Sequence, residues 1–175
     1  MAVEFTARHP EMVEKLLLFG AYPRGDLKRG QYTIEEHEAR LTLVRHGWGR
    51  EDPTYRQIFT SGFMPEATAE QVNWFNELQR VSTSPENAAR VQQTTATIDA
   101  LRRLPEITAP TLVLHAVGDR RVPYNEGRQL ASLISDAKLV DLDSNNHLLI
   151  ESEPAWNTCK AAVREFLGTG PATER

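Results

Sequence analysis

Two side chains that could carry out acid–base chemistry each follow an apolar run typical of a buried strand. Asp119 comes after the run at 111–115, and His147 comes after the run at 138–142. The carboxyl ends of parallel strands meet at one crevice, so we expect the two side chains to lie close together. An aspartate there accepts the imidazole Nδ1–H, and the histidine can then move a proton between a hydroxyl nucleophile and a leaving group. The spacing therefore predicts two members of a hydrolytic triad.

The nucleophile that would complete such a triad is absent from these 175 residues. A serine nucleophile of this type stands on a Gly-x-Ser-x-Gly turn between a strand and a helix. No serine of the chain has glycine at both of those positions; the serines are Ser61, Ser82, Ser84, Ser132, Ser135, Ser144 and Ser152. Cys159 falls inside the last predicted helix, away from the crevice. We therefore expect no nucleophilic acyl transfer from this chain on its own.

The composition indicates an ordinary globular protein, with 40% hydrophobic and 25% charged residues. A net charge of −4 gives no reason to expect binding to nucleic acid or to an anionic membrane. The single cysteine, Cys159, excludes an intrachain disulfide and metal sites built on paired cysteines. The chain shows neither an apolar stretch of 18 residues nor the start of a signal peptide, so the cytoplasm is its expected location.

Strand-like and helix-like segments alternate at both ends of the chain. The apolar run at 16–20 and the runs at 111–115 and 138–142 predict strands buried on both faces. Helices are expected at 124–134 and 154–167, and the end of another helix is expected before Pro10. This alternation favours a parallel sheet with right-handed crossovers.

The middle of the chain is more polar and predicts a helical insertion. Glycine and proline break it into four expected helices, at 33–46, 53–60, 66–82 and 85–103. We expect a single domain, and its parts are a core at 1–24 and 105–168, a lid-like cap at 25–104 and a tail at 169–175. Trp48, Trp74 and Phe75 in this cap are candidates to bind substrate by lining an apolar acyl pocket, although internal packing of the cap is the alternative.

Each polar candidate also has a simpler structural explanation. Asp119 follows Gly118 and could be a turn residue that bonds to its own backbone. His147 alone could be a polar loop residue. Of the other histidines, His115 is expected to pack at a strand end, and three are expected to be exposed: His9, His37 and His46. None has the neighbours of a zinc site, so we expect neither a metal nor a cofactor.

Two segments of the chain resemble the acid and histidine segments of α/β-hydrolases, especially those of the haloperoxidase and esterase branch. They are His115-Ala-Val-Gly-Asp-Arg-Arg-Val-Pro123 and Asn146-His-Leu-Leu149. The stretch Ala7-Arg-His-Pro-Glu-Met-Val13 with the run at 16–20 is similar to the part of the family that follows the nucleophile helix. The resemblance covers nearly the whole chain and implies a partial α/β-hydrolase fold of about three parallel strands, flanking helices and a helical cap. It places the missing elbow just before residue 1.

Three interpretations of function remain open at this stage. The first is the C-terminal part of a serine hydrolase for an ester or other acyl substrate, inactive without a missing N-terminal half. The second is a non-catalytic module that binds a small apolar ligand or a partner, since the stretch at 144–156 is also similar to hydrolase-like regions of bacterial signalling proteins. The third is an upstream reading frame that encodes the elbow. The exposed edge expected at 15–20 predicts either self-association or cover by another segment.

Overall fold

The computed structural model describes residues 1–169 and divides into two compact units. The first unit holds Met1–Pro23 and the chain from Ala100 onward, and the second holds Arg24–Asp99. Most of the tail expected at 169–175 lies outside the described residues. In chain order the first unit contains α1 (Ala2–Arg8), β1 (Leu16–Phe19), β2 (Thr111–Ala116), α6 (Tyr124–Leu133), β3 (Ala137–Leu142) and α7 (Pro154–Leu167).

The strands of the first unit form a parallel sheet in the order β1-β2-β3. Leu18 lies beside Val113, and Val113 lies beside Leu139 on the third strand. Every residue of β2 is buried, as expected for the central strand of a sheet covered on both faces. The three predicted parallel strands are confirmed.

The alternation of side chains along the strands separates two apolar layers. One layer packs the sheet against α1, α6 and a 3₁₀ segment (Leu101–Glu106); its buried members include Leu16, Leu18, Leu104, Val113 and Leu130. The other layer lies under α7, and its members include Leu112, Leu114, Ala116, Leu142 and Ala155. A one-residue slip of register would exchange the two sets, so the pattern fixes the register of the sheet.

One side of β1 is less well covered than the rest of the sheet. Among the described residues, β1 pairs only with β2, and α7 packs on β2 and β3. Leu17 is 37% exposed although it belongs to an apolar strand. Beside it lies a cavity of about 310 Å³, which we call the β1 groove; it is lined by Leu17, Phe19, Leu114, Leu148, Leu149, Trp156, Cys159 and Val163.

The second unit is helical, as predicted. It consists of α2 (Ile34–Gly47), α3 (Thr54–Phe63), α4 (Ala69–Ser82) and α5 (Pro85–Ala96). Thr33 and Thr68 form capping boxes that begin two of these helices. A small core holds them together and contains Leu41, Val44, Phe59, Ala88 and Ala89.

Two expectations for this middle region are wrong. The helix expected at 85–103 ends at Ala96, because the chain turns there and Asp99 forms a β-bridge with Arg24. His37 is buried rather than exposed, with its Nδ1 atom 3.8 Å from a carboxylate oxygen of Asp26.

Candidate active site

Asp119 and His147 meet at the carboxyl end of the sheet. Asp119 lies in the turn after β2, His147 lies in the loop after β3, and His147 Nδ1 is 2.7 Å from Asp119 Oδ2. The carboxylate is almost fully buried, and the imidazole is mostly buried. A carboxylate only accepts, so Nδ1 carries the proton of this hydrogen bond, and in the neutral ring the lone pair lies on Nε2.

The backbone of its own turn orients the Asp119 carboxylate. Oδ1 accepts the N–H groups of Arg121 at 2.8 Å and Val122 at 2.9 Å. This is the local bonding that the turn explanation predicted for Asp119. It occupies one carboxylate oxygen and leaves the other directed at His147. Asp119 is therefore both a residue that stabilises its own turn and the hydrogen-bond partner of His147.

The loop that carries His147 is held by Glu153, which the sequence did not single out. Its carboxylate accepts the Ser144 hydroxyl at 2.5 Å, the Asn146 side-chain amide at 3.3 Å and the Ile150 N–H. The Ser144 hydroxyl in turn accepts the Asn146 N–H at 2.9 Å. These bonds tie the residues before His147 to those after it and fix the path of the loop.

Gly20 brings the end of β1 against the histidine ring. Its φ of +54° lies in the left-handed region, and a Cβ atom there would stand 2.7 Å from His147 Cε1. Only glycine satisfies both conditions at low cost. The imidazole therefore lies close to both Asp119 and the carboxyl end of β1.

The three aromatic candidates all lie in the second unit, in different surroundings. Trp48 packs against the helical core and contacts Phe59 edge-on, with ring centroids 6.0 Å apart. Trp74 is 62% exposed, and Phe75 lies against Phe63 with a centroid distance of 5.8 Å. Their predicted contact with substrate stays a prediction.

Cys159 is a further nucleophilic side chain, and its surroundings lower its reactivity. It lies on α7 in the β1 groove, and burial raises the pKa of its thiol. A raised pKa leaves less thiolate at neutral pH, and thiolate is the reactive form. Residues 1–169 contain no group of three or more His, Cys, Asp or Glu side chains suited to a metal ion.

Comparison with known proteins identifies the family of this chain. A sequence model of the family described as TAP-like protein, one of the α/β-hydrolase families, matches residues 79–175, which include Asp119 and His147. The chain belongs to the α/β-hydrolase family. RutD of Serratia proteamaculans (strain 568), a carbamate hydrolase candidate, is 22% identical to it over 149 residues.

Solved α/β-hydrolase structures share the fold at low sequence identity. The esterase EaEST from Exiguobacterium antarcticum has a TM-score of 0.76 and 22% identity over 93% of this chain. The enol-lactonase from Burkholderia xenovorans LB400 has a TM-score of 0.71 and 23% identity over 95% of it.

This α/β-hydrolase chain is shorter than the proteins it matches. It spans 55% of the length of RutD and 61% of each of the two solved chains. Among residues 1–169, none of the helices combines the length and the apolar character needed to cross a membrane.

Proposed function

We propose that this chain supplies the acid and the general base of a serine-type hydrolytic site for esters or related acyl compounds. The observation that carries the proposal is the 2.7 Å bond between Asp119 and His147 at the carboxyl end of a parallel sheet. In this role His147 is the base and Asp119 orients it. The relatives whose names describe an esterase, a lactonase and a carbamate hydrolase candidate support this class of substrate.

The chemistry assigned to each group is a two-step transfer. A serine hydroxyl attacks the acyl carbon, its proton passes to His147 Nε2, and the same proton goes to the departing alcohol. Water then attacks the acyl-serine, gives its proton to His147, and the acid leaves as the serine recovers its hydrogen. Asp119 stabilises the imidazolium formed in each step and does not take the proton itself. The net reaction converts an ester and water into an acid and an alcohol.

The position of β1 indicates where the nucleophile would enter. Gly20, at the carboxyl end of β1, contacts the His147 ring, and no described strand pairs with the other edge of β1. A parallel strand added at that edge would run about 4.8 Å from β1. Its carboxyl end would then lie close to His147 Nε2. We propose that a strand from outside these 175 residues occupies this edge and carries the serine.

A chimera tests this assignment. The portion of the Exiguobacterium antarcticum esterase that this chain does not cover is joined to residue 1, and hydrolysis of a panel of p-nitrophenyl esters is followed. We expect no turnover by the chain alone and turnover by the chimera. The substitution His147→Ala in the chimera should lower kcat by about six orders of magnitude, as removal of the triad histidine does in a serine protease.

Two controls separate the outcomes. His46→Ala, an exposed histidine of α2, should leave turnover unchanged. Ester turnover by the unextended chain that is lost in His147→Ala would show that the nucleophile lies within these residues. A chimera that folds and reacts with a fluorophosphonate but shows the same turnover after His147→Ala would remove the proposed role of His147.

The β1 groove favours one alternative, a non-catalytic binding module. An apolar cavity of about 310 Å³ lined by Leu17, Phe19 and Trp156 could hold an apolar ligand or partner without any chemistry. The same chimera distinguishes the two functions, because a binding module gains no esterase activity from the added segment.

A further inference from the structure

His115 is a second imidazole beside the Asp119 carboxylate. It lies on β2 four residues before the acid and is fully buried. Its Nε2 atom is 3.0 Å from the carbonyl oxygen of Val122 and 3.6 Å from Asp119 Oδ2. The hydrolytic steps above make no use of this ring.

The contacts of His115 fix its tautomer. A carbonyl oxygen can only accept a hydrogen bond, so Nε2 carries the proton that is donated to Val122. In the neutral ring, Nδ1 is then the unprotonated nitrogen. It is buried and has no hydrogen-bond partner among the described residues. The ring therefore donates its Nε2–H to the turn that carries Asp119.

Val122 links this donor to the carboxylate. Its N–H donates to Asp119 Oδ1 at 2.9 Å, and its carbonyl accepts from His115 Nε2 at 3.0 Å. Both polar groups of one buried residue are thus used to hold the acid turn. With Oδ1 fixed in this way, Oδ2 is left pointing at His147 Nδ1.

Helix α6 holds the His115 ring in place. A Cβ atom added at Gly127 would stand 2.5 Å from His115 Nδ1 and 2.8 Å from its Cγ. The helix therefore packs directly on the ring, and the absence of a side chain at this position makes the close approach possible. Tyr124 adds an edge-on contact with a centroid distance of 6.0 Å.

We propose that His115 is a positioning residue for the acid–base pair. Its Nε2–H holds Val122, Val122 holds Asp119 Oδ1, and Asp119 Oδ2 is thereby aimed at His147. A catalytic role for this series of contacts rests on the proposed function. The contacts themselves lie within these residues and can be measured without an activity assay. His115 would touch neither the substrate nor the reacting atoms.

The imidazole proton of His147 reports this geometry directly. In proton NMR of the ¹⁵N-labelled chain, the Nδ1–H shared with Asp119 should give a downfield signal that is assigned by its loss in His147→Gln. We expect His115→Phe, which keeps a ring but removes the donor, to lose this signal or shift it upfield. His115→Gln, which restores an N–H donor at a similar reach, should keep it.

Val113→Ala is the matched control. Val113 is as deeply buried on the same strand, but it belongs to the apolar layer that contains Leu18 and Leu130. The Val113→Ala substitution should lower the stability of the fold and leave the His147 signal unchanged. An unchanged signal in a folded His115→Phe chain would overturn the proposal. So would an equal loss of signal in Val113→Ala, since the effect would then follow from stability alone.

A measurement on the unmodified chain covers the case in which His115→Phe does not fold. The ¹⁵N shifts of the His115 ring should show a proton on Nε2, and an unprotonated Nε2 would contradict the proposal. An inactive chimera with the NMR results as expected would remove the proposed function and leave the positioning role of His115 intact. An active chimera with an unchanged His147 signal in His115→Phe would support the proposed function and remove the positioning role of His115.

Discussion

Glu153 shows how a residue that takes no part in the chemistry can determine whether His147 is in place. Its carboxylate accepts three donors from the loop around the histidine, namely those of Ser144, Asn146 and Ile150. Loss of this acceptor would remove the partner of the Ser144 hydroxyl and of the Ile150 N–H, and an unsatisfied buried donor costs about 1–3 kcal/mol. We therefore expect Glu153→Ala to lower the free energy of unfolding by this amount and to broaden the signals of the His147 loop.

The isosteric change and the neighbouring glutamate test that expectation. Glu153→Gln keeps an acceptor for Ile150 and Asn146 and can donate to Ser144, so it should lose less than about 1 kcal/mol in urea unfolding. Glu151, an exposed residue of the same turn, should change stability by no more than about 0.5 kcal/mol when replaced by alanine. Equal losses in Glu153→Ala and Glu151→Ala would show that the Glu153 bonds do not hold the loop.

The roles of some of these residues could be predicted from the sequence and those of others could not, for a physical reason. Asp119 and His147 could be located because each follows an apolar strand, and strand ends have a recognisable pattern. Glu153 and His115 act through contacts with backbone atoms of nearby turns. Such contacts depend on where the loop goes in space, which no local pattern records. The backbone atom that each side chain contacts was the missing information.

At the scale of single elements, the contact between α6 and β2 depends on Gly127. An alanine usually stabilises the interior of a helix by up to about 1 kcal/mol relative to glycine. At Gly127 the new methyl group would stand 2.5 Å from the His115 ring, and overpacking of this kind costs about 1–3 kcal/mol. We therefore expect Gly127→Ala to destabilise the chain in urea unfolding.

Gly62 on α3 provides the matched comparison. Apart from its chain neighbours and the backbone of its own helix, no described atom lies within 4 Å of a Cβ placed there, so Gly62→Ala should be neutral or stabilising by up to about 1 kcal/mol. Opposite signs for the two substitutions would show that packing against His115 decides the result at Gly127. A stabilising Gly127→Ala would mean that α6 can move away from the ring.

The elements themselves were largely predictable, apart from one helix end. Continuous apolar runs indicated the strands, and capping residues such as Thr33 and Thr68 indicated the starts of helices. The end of α5 at Ala96 was missed because nothing as clear as a glycine or proline marks it. The helix stops where the backbone pairs instead, with Gly25 N–H donating to the carbonyl of Ile98 at 2.8 Å. Nonlocal pairing of this kind overrides local helix propensity.

At the scale of the whole molecule, the apolar edge of β1 is the feature that favours pairing with another strand. An exposed edge presents backbone donors and acceptors to any strand that meets it, and lysine at such an edge opposes pairing. If the edge is uncovered, the chain should self-associate with rising concentration in analytical ultracentrifugation. Leu17→Lys should then shift the distribution towards monomer.

Leu133→Lys is the control for this change. Leu133 on α6 is 39% exposed, close to the 37% of Leu17, but it lies away from the strand edge. It should therefore leave the association unchanged. Equal effects of the two lysines would assign the association to general apolar exposure, and a monomer at all concentrations would remove the argument for edge pairing.

The alkylation rate of Cys159 can distinguish between partners at the β1 edge, because this sole cysteine of the chain lies in the β1 groove. Burial raises the pKa of its thiol, so alkylation by iodoacetamide should be slower than that of glutathione at neutral pH and should speed up as the pH rises. A segment that pairs with β1 and covers the groove should slow the reaction further, by several-fold. A second copy that pairs only along the strand edge would leave Cys159 reactive. Slow alkylation in a monomeric, active chimera would therefore favour the completed sheet, whereas alkylation as fast as in the unextended chain would show that the added segment binds elsewhere.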